Sequence, residues 1–220
     1  MYEVFPDPHL RARWRAASAV RQLSEALVAH DADERVFDDV ANWAAATAAD
    51  LSAGPVRPRA VDYMHRRYTD PPPPTDRAIV TSSDRPVSGP ANPSAVTMSI
   101  RHVGREVQAD VVFDRRFESA PGRVHGGVLA AVFDDIMGYI QVIEGIASYT
   151  MELSVRYRAP VPTHTLVIVR ARATERTERR CIVTAEAVAD GAPDVLADAR
   201  GVFAVVPPER LNPPLAPSSG

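Results

Sequence analysis

From residue 8 the apolar positions recur at helical spacing. Leu10, Trp14, Ala17, Val20, Leu23 and Leu27 fall near one stripe through Val28, with Arg11, Arg15 and Arg21 elsewhere, which predicts an amphipathic helix. A second helix is expected after it, with Asp33 as N-cap and Glu34 in its first turn. It carries Val36, Phe37, Val40, Trp43, Ala44, Thr47 and Leu51 on one side, and Gly54-Pro55 ends it. Residues 1–54 therefore read as a helical hairpin that needs a surface to pack on. Residues 55–94 are rich in proline, including the run Pro71 to Pro74, and predict an extended linker or arm lying over the surface.

The period then changes to two. Strands are expected at Ala95 to Val103 and Arg105 to Asp114 around a turn at Gly104, and at Tyr149 to Tyr157, Thr165 to Arg172, Cys181 to Ala189 and Val195 to Val206. In the first of this later group Met151, Leu153, Val155 and Tyr157 alternate with Glu152, Ser154 and Arg156. Between the two groups, Val128 to Ile143 is almost all apolar or small, with Asp134 and Asp135 its only charged residues, which predicts a helix buried on most sides. One long helix among mostly antiparallel strands gives an α+β domain at residues 95–208, its sheet curled around the helix. Residues 209–220 read as a loose tail.

Composition narrows the chemistry. The chain of 220 residues has a formal net charge of −3, a balance that argues against general nucleic-acid binding. All of its basic residues are arginine, so Schiff-base lysines and phosphate-loop lysines are excluded. Cys181 is the one cysteine, which rules out an intramolecular disulfide and a thiolate metal cluster and suits a reducing cytoplasm. It opens a strand beside Ile182 and Val183 and reads as packing. His102 and His164 have no partners at ligand spacing, so no metal site is assigned. The run Val128 to Ile143 is short and doubly acidic, a poor membrane span.

The densest chemistry lies at the start of the apolar helix. Gly126 and Gly127 leave its free N–H groups open to something negative, and Asp134 follows His125 by nine residues. A carboxylate in an apolar helix is costly to ionise without a partner, so it usually has a task. An anion-stabilising helix end followed by such a carboxylate suits acyl transfer. Asp135 reads as a neighbour engaged in salt bridges or an interface.

Taken together, Pro121-Gly122-Arg123-Val124-His125-Gly126-Gly127, Asp134, the run Thr150 to Pro162 (TMELSVRYRAPVP) and Asp198-Ala199-Arg200-Gly201-Val202-Phe203 resemble the hotdog-fold acyl-CoA thioesterases of the phenylacetate (PaaI) type. The resemblance spans roughly residues 90 to 206. It implies a hotdog fold and hydrolysis of acyl-CoA or acyl-carrier thioesters without a cofactor, coenzyme A being part of the substrate. It also implies a homodimer or homotetramer with sites between subunits. In the roles it implies, Asp134 is the catalytic carboxylate and the Gly126 amide, with Gly127 beside it, polarises the thioester carbonyl. His125 holds that carbonyl or orients the loop, and Thr150, supplied by the partner subunit in some members, positions water.

Arg176, Arg179 and Arg180 form a polar turn that can be read either as a site for coenzyme A phosphates or as a solvated loop interleaved with Glu175 and Glu178; Arg158 is similar. Two rival readings are a hotdog hydratase or dehydratase and a non-hydrolytic acyl-thioester-binding or assembly module, the second given weight by the long N-terminal arm.

Overall fold

Helix α4, Gly126–Ile143, is the axis of the fold. Ten of its residues are buried, among them Leu129, Phe133, Ile136, Met137 and Ile140. By length and composition it would suit a membrane span, but here its apolar surface is spent inside a sheet. The computed structural model describes residues 7–57, 63–71 and 74–211.

Six strands form that sheet: β1 (Thr97–Val103), β2 (Glu106–Val112), β5 (Ser148–Tyr157), β6 (Leu166–Arg176), β7 (Arg180–Ala189) and β8 (Val195–Val205). Their order is β1-β2-β6-β7-β8-β5, antiparallel throughout. Inward residues such as Val107, Val111, Val167, Val169, Val183 and Ala197 are fully buried with the helix residues in one core. Gly104 turns β1 into β2 at positive φ, a conformation open to glycine. Two short strands that the residue pattern does not announce, β3 (Glu118–Ala120) and β4 (Arg123–Val124), pair with each other and lead the chain into α4.

Strand β5 departs from simple alternation. Thr150 lies opposite Phe203 and Glu152 opposite Val202, so Met151 is the extra residue of a β-bulge. In a regular strand Thr150 and Leu153, three apart, would point to opposite faces. The bulge turns both toward α4 and leaves Met151, expected on the Leu153 face, 69% exposed.

The two sheet edges are treated differently. The outer edge of β1 is covered by the chain itself: Ala78 bridges Arg101, and the Ile79 N–H donates to Ile100 O at 2.8 Å. The outer edge of β5 has no strand on it among the described residues.

Helices α1 (Pro8–Ala29) and α2 (Glu34–Ser52) form with nearly the expected bounds. Asp7 caps α1, accepting from the His9 N–H, and Arg21 ties it to the body through Pro90 O and Asn92 O. The proline-rich stretch holds more than an extended arm. It contains helix α3 (Tyr63–Thr69), part of the run Pro71 to Pro74 lies outside the described residues, and Tyr68, Ile79, Ser88 and Ala91 are buried. Proline content signalled irregular backbone here, but irregular backbone can still pack.

Gly89 is essential to this segment. A Cβ there would lie 2.3 Å from Arg85 N and 2.5 Å from Arg85 O, backbone atoms that cannot move aside. Gly89→Ala is expected to open the turn, in which the Gly89 N–H donates to Arg85 O, and to destabilise the protein by about 1–3 kcal/mol, as overpacking does. A denaturant midpoint shift at unchanged slope would register it, and an unchanged midpoint would show that the turn has room.

Candidate active site

The start of α4 can be audited one N–H at a time. His125 is the N-cap, extended at φ −65° and ψ 128°. Its Nδ1 accepts from the Gly127 N–H at 3.0 Å, and its carbonyl accepts from Val128 at 3.0 Å and Leu129 at 3.2 Å. Among the described residues the Gly126 N–H has no partner. Of the orphan donors that begin every helix, this one stays open, at the positive end of the macrodipole. Gly127, expected to assist beside it, instead has its N–H committed to His125. Because Nδ1 accepts, a neutral imidazole carries its proton on Nε2, a donor on an exposed side chain.

Tyr157, at the far end of β5, completes this corner. Its hydroxyl donates to Gly126 O at 2.7 Å. The Gly126–Gly127 peptide is thus held at its carbonyl by Tyr157 and at its N–H by His125. The Tyr157 ring also lies 3.2 Å from where a Gly126 Cβ would stand, so a side chain at position 126 would push the ring aside. Sequence reasoning passed over Tyr157 as an alternating strand residue; its place between the helix acid and the Arg-Ala-Pro turn was the available signal.

Asp134 stands on the half-open side of α4 and Asp135 on the buried side. The Thr150 hydroxyl donates to Asp134 Oδ1 at 2.9 Å. Asp134 and Thr150 therefore meet within one chain, and the bulge at Met151 makes the meeting possible. Asp135 receives Arg85 Nε on Oδ1 at 2.8 Å, with Arg85 Nη2 on the same oxygen. The Arg85 guanidinium also lies 4.7 Å above the Tyr139 ring, and the Tyr139 hydroxyl is 2.9 Å from Ser88 Oγ. Burial pushes the Tyr139 hydroxyl pKa up, with the Arg85 charge opposing, so the phenol stays protonated at neutral pH. Asp135 is thus the salt-bridged neighbour its sequence suggested. Its partner comes from fifty residues upstream.

The candidate arginines are dispersed. Arg158 pairs with Asp198 near the Tyr157 end of β5. Arg176 lies 3.7 Å from Glu144, the residue that caps the C-terminal end of α4. Ten residues of helix, about 15 Å of rise, separate Glu144 from Asp134. Arg180 pairs with Glu175 at 2.9 Å, and the Arg179 carbonyl accepts from Val205. Within one chain the turn at Arg176, Arg179 and Arg180 is not brought to the Gly126 corner. Cys181 is fully buried, and burial raises its thiol pKa, which keeps it an unreactive packing group.

Residues 121–195 match the thioesterase superfamily model. Over 93 residues the chain is 27% identical to acyl-coenzyme A thioesterase THEM4 of Mus musculus, covering 42% of this chain and 40% of that protein. Over 96 residues it is 26% identical to acyl-coenzyme A thioesterase THEM5 of Homo sapiens, covering 44% and 39%. The chain thus spans about two fifths of the length of these curated relatives. A solved structure described as a thioesterase superfamily protein superposes with a TM-score of 0.75 at 23% identity, over 87% of this chain and 90% of that one. The antiparallel sheet wrapped on α4 is the hotdog fold, and residues 121–195 within it are what resembles the thioesterase superfamily.

Proposed function

We propose that this protein hydrolyses acyl-CoA thioesters in the cytoplasm, with Asp134 acting on water as general base. The observation that carries this reading is that Asp134, paired with Thr150 of β5, lies on the same helix that presents an open Gly126 N–H. With Oδ1 occupied by the Thr150 hydroxyl, Oδ2 of Asp134 is left to take a proton from water. Direct attack by the carboxylate, through an acyl-enzyme anhydride, uses the same atom. The oxyanion is stabilised by the Gly126 N–H and the helix dipole, a type of donor that supplies about 2.7–4 kcal/mol of transition-state stabilisation, with His125 Nε2–H beside it. The coenzyme A thiolate departs without a strong acid, and the chemistry calls for no metal or cofactor.

Helix geometry supports a site shared by two copies. Eight residues separate Gly126 from Asp134, about 12 Å along the axis, whereas a reacting carbonyl must lie about 3 Å from both nucleophile and donors. The open edge of β5 offers the remedy. Thr150, with Asp134, sits near its start, and Tyr157, with Gly126, sits at its end. If β5 pairs antiparallel with itself across a two-fold axis near Leu153 and Ser154, Thr150 of one copy comes opposite Tyr157 of the partner subunit. The pairing also removes an exposed edge, which folded proteins otherwise protect.

Thiol release across straight-chain acyl-CoAs and aryl-CoAs tests the activity. Turnover identifies the acyl class, and tight binding without turnover would replace the enzyme by a binding module. Mixing inactive Asp134→Asn chains with inactive Gly126→Val chains tests the shared site. Each mixed dimer keeps one site with both groups intact, so random reassortment should restore about a quarter of wild-type activity. Activity no greater than the parents' would place both groups in one chain's site. Tyr157→Phe keeps the ring over Gly126 but frees its carbonyl. It should lower kcat about tenfold, the scale of one ordinary hydrogen bond of about 1.4 kcal/mol, with KM and melting temperature little changed. Full kcat would show that Tyr157 is only packing.

A further inference from the structure

We infer that helix α2 is a second self-association element, covered by another copy of this chain. None of its residues is buried, and it makes no extensive packing with any other element of its own chain. Its apolar stripe is real: Trp43 is 53% exposed, Leu51 77%, Val36 42% and Phe37 36%. The helix is also not a loose arm free to fold back. On one side α1 is fastened to the body by Arg21 at 2.8 Å from Asn92 O, and just beyond its other end Arg57 pairs with Asp84. It is therefore a strut anchored at both ends, presenting its apolar stripe outward. In water such a stripe is covered, since helices draw most of their stability from packing an amphipathic face.

Area and charge identify the occupant. The exposed parts of those four side chains amount to on the order of 400 Å² per copy. Reciprocal docking of each α2 on the body of the other copy, covering a similar area there, buries roughly 1,600 Å², the size of a stable protein interface. Residues 30–54 carry six carboxylates (Asp31, Asp33, Glu34, Asp38, Asp39 and Asp50) against Arg35 alone, leaving the remainder of the chain with a small positive balance. That complements a second copy. It opposes an anionic bilayer, whose surface helices carry basic polar faces. This contact is distinct from pairing along β5 and places α2 and β5 in one assembly.

A photo-crosslinking benzoylphenylalanine in place of Trp43, in the full-length protein, tests the inference. The expected result is a two-chain product with the crosslink joining position 43 to a peptide of the other copy. A product crosslinked within one chain, or no crosslink at concentrations where the protein is oligomeric, would overturn it. The Trp14→Phe protein provides an independent readout, because Trp43 is then its only indole. Blue-shifted emission with iodide quenching reduced at least threefold relative to free indole is expected, and a fully solvated spectrum would overturn the proposal. Neither readout depends on hydrolysis, so failure here and failure of the thioesterase reading are separable.

Discussion

Asp134→Asn should lower acyl-CoA turnover about a thousandfold, in the middle of the range for a lost general base, while the melting temperature stays close to wild type. The substitution is nearly isosteric. The asparagine oxygen still accepts from the Thr150 hydroxyl, so the contact seen at 2.9 Å survives. What disappears is the basic oxygen left over on the carboxylate. Because Asp134 stands on the half-open side of α4, neutralising it leaves no buried charge stranded, and stability has no reason to fall. Single-turnover thiol release and a thermal melt on the same preparation separate the two effects. Retention of more than a tenth of wild-type turnover would remove Asp134 from the chemistry. A collapse of the melt would reassign it to structure.

The neighbouring acid shows how far sequence reasoning reached. The composition of Val128 to Ile143 said that a carboxylate there needs a partner or a task, and both outcomes occur side by side. Asp135 is the buried one and has its partner, Arg85. Asp134 is half open and has the candidate task. Nothing local could have named Arg85, because it lies in a stretch whose prolines obscure any period, and it is aimed by a turn that depends on Gly89. Helix periodicity located α1, α2 and α4 well, since a 3.6-residue repeat over many turns averages out exceptions. Strand alternation located β5 but assigned Met151 to the wrong face. A bulge inserts one residue without changing composition, so the register slip shows only in the pairing with β8. That slip brings Thr150 to Asp134. Glycine spacing marked the helix start as a donor site. The division of labour there, with Gly127 capped by His125 and the Gly126 N–H left open, became legible only through the bonds each N–H makes.

Replacing Arg85 should have the opposite signature to replacing Asp134. The Arg85 and Asp135 side chains are 11% and 9% exposed, and two of the three bonding guanidinium nitrogens, Nε and Nη2, converge on one carboxylate oxygen. Arg85→Leu leaves Asp135 charged inside the protein. Breaking a buried pair on one side typically costs about 3–5 kcal/mol, which for a chain of this size corresponds to a melting-temperature drop of roughly 6–20 °C. Turnover per folded molecule should fall much less than in Asp134→Asn, since Arg85 reaches the site only by holding the buried face of α4 in place. The double change, Arg85→Leu with Asp135→Leu, removes both charges and should recover most of the lost stability, because two apolar side chains of suitable volume replace a pair whose desolvation was only offset by mutual attraction. If Arg85→Leu melts like wild type, the pair is solvated and contributes little, as exposed pairs do. If the double variant is no better than the single one, what Arg85 supplies is its stacking over Tyr139, 4.7 Å away, rather than its charge. Recovery in the double variant would mean that adjacent aspartates on one helix differ for a simple reason: one faces the core, where a charge must be matched, and the other faces the opening, where it is free to react.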